Sequence, residues 1–229
     1  MKERNRKDSA WALVTGAGSG IGRCYALRLA ALGYRLVIVG NNRAPLEAVS
    51  EEIRNAAVAA ATPAAEVRVI TTDLARVGSA QELYDRIAAE GIGVDVVINN
   101  AGIFSFCDIL ATPAERIERI ILLHDLTVTQ LCRLFAADMV RRGVRGHILN
   151  MSSYSLWMPF PGLALYSASK AYMRSFSVAF AKEVRERGIR VTAVCPAGVA
   201  TDLYGLTPYW QRIGRKLGVL ITPDTVSYT

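Results

Sequence analysis

The sequence predicts a doubly wound parallel α/β sheet, layered helix–sheet–helix, as a single domain over residues 1–229. Short runs rich in valine and isoleucine alternate with longer helix-compatible stretches. These runs are continuously apolar, as strands are when both faces of a sheet are covered. The first run enters a cluster of glycines and then an apolar-periodic stretch, the strand–loop–helix start of a right-handed crossover unit. A chain of 229 residues is about one domain long and can bury a substantial core.

Taken in order, the strands are expected at Trp11–Thr15, Arg35–Gly40, Val67–Thr71, Val94–Asn99, His147–Met151 and Arg190–Cys195. Helices fill the intervals, at Ile21–Leu32, Pro45–Ala60, Ser79–Glu90, Glu115–Arg141 and Ala164–Arg187. The alanine-rich segment Asn55 to Ala65 reads as a helix end and loop, not as a linker. No internal repeat is present in the sequence.

Composition narrows the function classes. The chain is 52% hydrophobic, yet no apolar run approaches the ~18 residues that a membrane span needs. Met1 to Asp8 is polar and charged, unlike a secretory leader. The expectation is a cytoplasmic protein without membrane contact. Cys24, Cys107, Cys132 and Cys195 are scattered, with neither a CxxC pair nor metal spacing, and read as small core residues with no metal to hold. The net charge of +7 is spread along the chain, dense only at Met1–Lys7 and Arg212–Lys216. No recognition motif accompanies it, so it reads as a solvated basic surface that draws an anionic cofactor, not as a nucleic-acid site.

Chemistry is concentrated in Ser153, Tyr166 and Lys170. Lys170 lies four residues after Tyr166, on the same face of a helix, and Ser153 lies thirteen residues before the tyrosine. A phenol is a poor acid at neutral pH, with an ordinary pKa of about 10. An ammonium one turn away stabilises the phenolate and brings the group into the range of a general acid/base. A serine hydroxyl beside it can hold a carbonyl or carbinol oxygen. That is the proton half of a hydride transfer. The other half needs a dinucleotide, and Gly16, Gly20 and Gly22 supply a loop whose backbone can approach a pyrophosphate at a helix N-terminus. The spacing is TGxxxGxG, not GxGxxG.

The chain resembles the short-chain dehydrogenase/reductase family. It carries Thr15-Gly-Ala-Gly-Ser-Gly-Ile-Gly22, Thr72-Asp73-Leu74, Asn99-Asn100-Ala101-Gly102, Asn150-Met-Ser-Ser153, Tyr166-Ser-Ala-Ser-Lys170 and Cys195-Pro-Ala-Gly-Val-Ala-Thr201 in the family order. The resemblance implies a Rossmann-type sheet and a nicotinamide cofactor. It places Gly16, Ser19, Gly20, Ile21 and Gly22 around the phosphates, with Ile21 reaching the nicotinamide side through its backbone. Asp73 would meet the adenine amino group beside Leu74; its other reading is a helix N-cap. Asn100, Ala101 and Gly102 would line the cofactor ribose, although for Asn99 and Asn100 a structural role stands beside direct contact. Pro196, Gly198 and Thr201 would carry the nicotinamide, with Thr201 on its carboxamide. Tyr166 is then the acid/base, Lys170 supports it and holds the ribose, and Ser153 polarises the substrate oxygen.

The second strand ends in Gly40-Asn41-Asn42-Arg43, without the carboxylate that bonds a ribose 2′-hydroxyl in NAD-dependent relatives. Asn41 and Arg43 border that position, and a guanidinium suits a 2′-phosphate. NADP(H) is favoured, and NAD(H) remains possible. The sequence departs from the family in three places. His124 stands where many members carry an asparagine, and two readings stay open: a neutral imidazole holding a water that relays protons to Lys170, or a structural side chain. Pro196-Ala197-Gly198 replaces the usual Pro-Gly. The chain stops short of the family's usual final helix and strand, which would leave a sheet edge exposed.

The substrate loops carry Phe104 and Phe106, then Tyr154, Leu156, Trp157, Met158 and Phe160, then Leu203, Tyr204 and Leu206. Apolar, aromatic loops point to a small apolar ketone, aldehyde or alcohol; packing within the loops or against another subunit is the other reading. A homodimer or homotetramer is expected from the resemblance, with Phe176 and Phe180 on a candidate pairing face. The function expected is an NAD(P)(H)-dependent oxidoreductase. A dinucleotide-binding redox sensor or scaffold without useful catalysis is the alternative.

Overall fold

A computed structural model describes residues 10–201, 203, 205, 207–218 and 220–227. Residues 1–9, which include the polar leader, lie outside the described residues, as do Tyr204 and Leu206. Strands and helices alternate: β1 (Trp11–Thr15), α1 (Gly20–Ala31), β2 (Arg35–Gly40), α2 (Arg43–Ala59), β3 (Val67–Thr71), α3 (Ser79–Ala89) and β4 (Val94–Asn99). Then come α4 (Ala114–Ile121), α5 (Val128–Arg141), β5 (His147–Met151), α6 (Ala164–Val184), β6 (Arg190–Val194), α7 (Pro208–Lys216) and α8 (Pro223–Ser227). The six strands form one sheet in the order β3-β2-β1-β4-β5-β6, and every pairing is parallel. The doubly wound expectation therefore holds.

The continuous apolar runs have a direct structural reason. Successive side chains of a strand point to opposite faces, and here each face has its own core. Leu13, Val37, Val39 and Val97 pack with Leu83, Leu131, Phe135, Met139 and Met173 of α3, α5 and α6. Val14, Leu36, Ile38 and Ile98 pack on the other face with Tyr25, Leu29, Leu46 and Ile53 of α1 and α2. The chain crosses from one half of the sheet to the other between β3 and β4. The crevice opens there, beyond the carboxyl ends of β1 and β4, at the switch in winding direction.

Three features differ from the expected elements. The helix expected over Glu115–Arg141 is interrupted: residues Leu122–Thr127 form a wider π-helical turn between α4 and α5. By length and hydropathy the run Ala114–Arg141 could cross a membrane, but half of its most apolar window is buried in this fold. The segment after β6, where no element was expected, carries α7 and α8. Val226 of α8 is buried in the core shared with α1 and accepts a hydrogen bond from the Tyr25 hydroxyl at 3.2 Å. Ile221 makes an isolated parallel bridge with Val199.

Candidate active site

The crevice is a cleft of about 420 Å³. Its walls are built from the loops that follow the carboxyl ends of all six strands. At its middle, where β1 pairs β4, lies the glycine loop. Gly16 and Gly20 have φ of +65° and +52°, which side chains disfavour, and a Cβ on Gly16 would stand 2.9 Å from the Ala101 Cα. Ser19 is the N-cap of α1, yet its side chain bonds no backbone N–H, and the first turn holds no acidic residue. The positive end of the helix dipole thus faces the cleft without a resident anion, which suits a pyrophosphate.

The loop is held by side chains of β1 and β4. The Thr15 hydroxyl accepts from the N–H groups of Asn100 and Ala101, both at 3.0 Å. The Asn100 amide donates to the carbonyls of Thr15 and Gly16 at 3.0 and 3.2 Å. Asn100 lines the cleft, but its amide nitrogen is committed to holding the loop. Asn99 points into the sheet: its Nδ2 donates to Asn150 Oδ1 at 2.8 Å, and the Asn150 amide donates to Ser177 Oγ at 2.8 Å. Both side chains thus make structural bonds, and Asn100 also lines the cleft.

Beyond β2 and β3, at the end where the resemblance expects the adenosine, Asp73 lines the cleft beside Leu74 and Asn41. Its carboxylate accepts from the Ala75 N–H at 2.9 Å and from Arg119 at 3.0 Å. Burial pushes the carboxyl up, but these donors outweigh it and hold the group below its ordinary range. The next helix, α3, begins only at Ser79, so Asp73 is not its N-cap.

At the other end, Ser153, Tyr166 and Lys170 meet on one wall. Ser153 Oγ accepts from the Ser155 N–H at 3.2 Å, which leaves the hydroxyl proton available to donate. Lys170 is buried, and its Nζ donates to the Met151 carbonyl at 2.9 Å and lies 5.6 Å from the centroid of the Tyr166 ring. Burial lowers its pKa to about 8, against the pull of Asp125 and Cys195 in the other direction. Lys170 therefore stays an ammonium at neutral pH. Asp125 itself is pushed up to about 6 by burial, against the opposing effect of Lys170. The Phe104 ring stands edge-on to Tyr166, with centroids 5.0 Å apart.

Of the residues expected from the sequence, Gly16, Ser19, Gly20, Ile21, Asn41, Asp73, Leu74, Asn100, Ala101, Gly102, Pro196 and Thr201 line the same cleft as Ser153, Tyr166 and Lys170. Four expected residues do not. Gly22 and Gly198 lie off the wall, and Gly22 does its work by packing, since a Cβ there would stand 2.2 Å from the Gly16 carbonyl oxygen. Arg43 is 75% exposed in the first turn of α2, where Glu47 one turn on takes its guanidinium at 2.9 Å. Its neighbours Asn42 and Pro45 line the cleft. His124 is fully buried behind the wall, and both ring nitrogens are hydrogen-bonded, Nε2 to the Ile103 N–H at 3.0 Å and Nδ1 to Ser169 Oγ at 2.9 Å. Neither nitrogen is left to hold the relay water of the first reading. Arg119, Ser152 and Met151 line the cleft without having been anticipated.

The short chain dehydrogenase family model matches residues 10–211. The chain belongs to the short-chain dehydrogenase family. Among curated relatives, the very-long-chain 3-oxoacyl-CoA reductase of Anas platyrhynchos is 36% identical over 200 residues, covering 85% of this chain and 61% of that protein. The chain spans less than two thirds of these curated relatives' length: 32% of another and 64% of a third. Among solved structures, a short-chain dehydrogenase from Sphingobium yanoikuyae in complex with NADPH superposes with a TM-score of 0.82 at 30% identity, covering 95% of this chain and 81% of that one. A bulky-bulky ketone specific alcohol dehydrogenase from Comamonas testosteroni gives 0.80 at 28% identity, covering 96% and 80%. Membership in this oxidoreductase family accounts for the glycine loop and the Ser–Tyr–Lys wall occurring on one cleft.

Proposed function

We propose that the chain is an NADP(H)-preferring oxidoreductase that interconverts an apolar ketone or aldehyde and its alcohol. One observation carries the reading: the anion-ready N-terminus of α1 and the Ser153–Tyr166–Lys170 wall line one cleft. The glycine loop fits a dinucleotide, because its positive-φ glycines and the close approach of Gly16 to Ala101 leave room for phosphates and for no side chain. When bound, the nicotinamide gives or accepts a hydride. Ser153 donates its free proton to the substrate oxygen, and Tyr166 supplies or takes the proton that balances the charge. The Lys170 ammonium favours negative charge on the phenol oxygen and is placed to hold the ribose beside it.

The cofactor preference rests on the end of β2. Asn41 and Asn42 bring no carboxylate to repel a 2′-phosphate. NADPH is also the molecule bound by the Sphingobium relative. The substrate class rests on Phe104 at the wall and on Tyr154, Trp157, Met158 and Phe160, whose apolar side chains stand exposed after the catalytic serine. That row of exposed apolar groups also favours a second reading, an elongated β-keto acyl thioester of the kind named for the duck relative.

The test is a titration with NADPH and NADH by intrinsic and nicotinamide fluorescence. Turnover on a panel of small ketones, bulky ketones and 3-oxoacyl thioesters follows. Tyr166→Phe is expected to abolish turnover, by more than about a thousandfold, while NADPH still binds. Retained turnover in that variant would remove Tyr166 from the chemistry, and binding without turnover by the unaltered protein would favour a cofactor sensor.

A further inference from the structure

Behind the cleft wall lies a buried imidazole that the reaction as proposed does not use. His124 Nε2 accepts from the Ile103 N–H at 3.0 Å. A nitrogen that accepts from an amide carries no proton, so the ring proton sits on Nδ1. Nδ1 is 2.9 Å from Ser169 Oγ, and Ser169 Oγ gives its own proton to the Tyr166 carbonyl at 2.8 Å. The bonds therefore run in one direction, from Nδ1–H to the serine and from the serine to the backbone of the catalytic tyrosine. A Cβ on Gly102 would stand 3.3 Å from Nε2, so the loop after β4 packs directly on the ring. The π-helical turn Leu122–Thr127 carries the ring into this position.

We propose that His124 is a positioning residue: a neutral clip that ties the Gly102–Ile103 loop to the Tyr166 backbone, and that opens when the imidazole takes a proton. The kinetic part of this proposal rests on the assignment of Tyr166 as acid/base; the clip itself does not. A protonated ring would set an N–H against the N–H of Ile103 and lose its acceptor. The charged and titratable groups around it are Lys170 and Tyr166 from α6, with the Tyr166 ring centroid 6.0 Å away, and Asp125 on its own turn. From the loop after β4, Gly102 and the Ile103 N–H stand against the ring, neither of them titratable. Burial, then the Lys170 charge, hold the imidazole well below its ordinary range.

The sign follows from linkage. The unfolded chain takes up the proton near a pKa of about 6.5 and the folded chain does not, so stability is lost as pH falls below that value. Cofactor-free protein is melted from about pH 8 to about pH 5, for the unaltered chain, His124→Asn and Ser169→Ala. The acid-side loss of Tm should shrink in His124→Asn and persist in Ser169→Ala. His147 and Asp125 also titrate in this range, with opposite signs, but they are present in all three proteins. In turnover, His124→Ala and Ser169→Ala should each lose about tenfold in kcat, whereas His124→Asn, whose amide can both accept from the Ile103 N–H and donate to Ser169, should lose less. The double variant of His124→Ala and Ser169→Ala should be no worse than the weaker single one, because both cut the same chain of bonds. Parallel Tm–pH curves for the unaltered protein and His124→Asn would overturn the clip, as would unchanged kcat in Ser169→Ala or additive losses in the double variant. If no substrate is turned over by the unaltered protein, the functional reading has failed, while the melting curves still decide the clip.

Discussion

Asn41 stands at the end of β2 and lines the cleft, while Arg43 two residues on does not. The choice between cofactors is therefore assigned to the neutral asparagine, which neither repels a 2′-phosphate nor bonds a 2′-hydroxyl as a carboxylate would. Asn41→Asp should weaken NADPH by about tenfold or more through like-charge repulsion, and leave NADH unchanged or tighter. Fluorescence titration reads both, and equal losses for the two cofactors would show that Asn41 does not face the ribose. The Arg43–Glu47 pair had a signal in the sequence: Glu47 lies one helical turn away, at the spacing that captures a guanidinium. Arg119 had none. It meets Asp73 across 46 residues, a contact that only the fold creates. The meeting of Ser153, Tyr166 and Lys170 on one cleft was legible because helical spacing and order along the chain are themselves sequence properties.

Among the elements, the strands were legible to within a residue, because their valine- and isoleucine-rich runs are apolar at the centre of the sheet, where both faces are covered. The π-helical turn was not. Its wider backbone step has no composition of its own, and the flanking helices carry the same apolar periodicity. The partners of His124 were hidden for that reason. Helix α7 escaped notice because its exposed residues include Tyr209, Trp210, Arg212, Arg215 and Lys216 and offer no apolar stripe. The loop between β1 and α1 gives the sharpest test at this scale. Gly22 touches no part of the cleft, yet a Cβ there meets the Gly16 oxygen at 2.2 Å and the Asn100 amide at 2.5 Å. Gly22→Ala should cost ~3 kcal/mol of stability from overpacking and weaken dinucleotide binding, read by urea unfolding and cofactor titration. Unaltered stability would mean that the loop relaxes without cost.

For the whole molecule, the fold class followed from alternation and chain length, but the polar chain that unites the layers did not. Asn99 of β4, Asn150 of β5 and Ser177 of α6 are buried and linked in series, ending at the Met173 carbonyl. Asn150→Ala would orphan polar groups on both neighbours, at about 2–4 kcal/mol. The loss should appear as one earlier transition, with circular dichroism and tryptophan fluorescence coincident, because sheet and helix melt together. Two separated transitions would mean that the layers are independent. The strand order has a consequence for descent. The residues that face the adenosine end stand after β1, β2 and β3, and those that face the chemistry stand after β4, β5 and β6. The two sets occupy consecutive halves of the sequence and touch in the sheet only where β1 pairs β4. A lineage can therefore change its redox currency mainly by substitutions in the first half of the gene and its substrate mainly in the second, with the Arg119–Asp73 and Asn100–Gly16 bonds as the points where one history constrains the other.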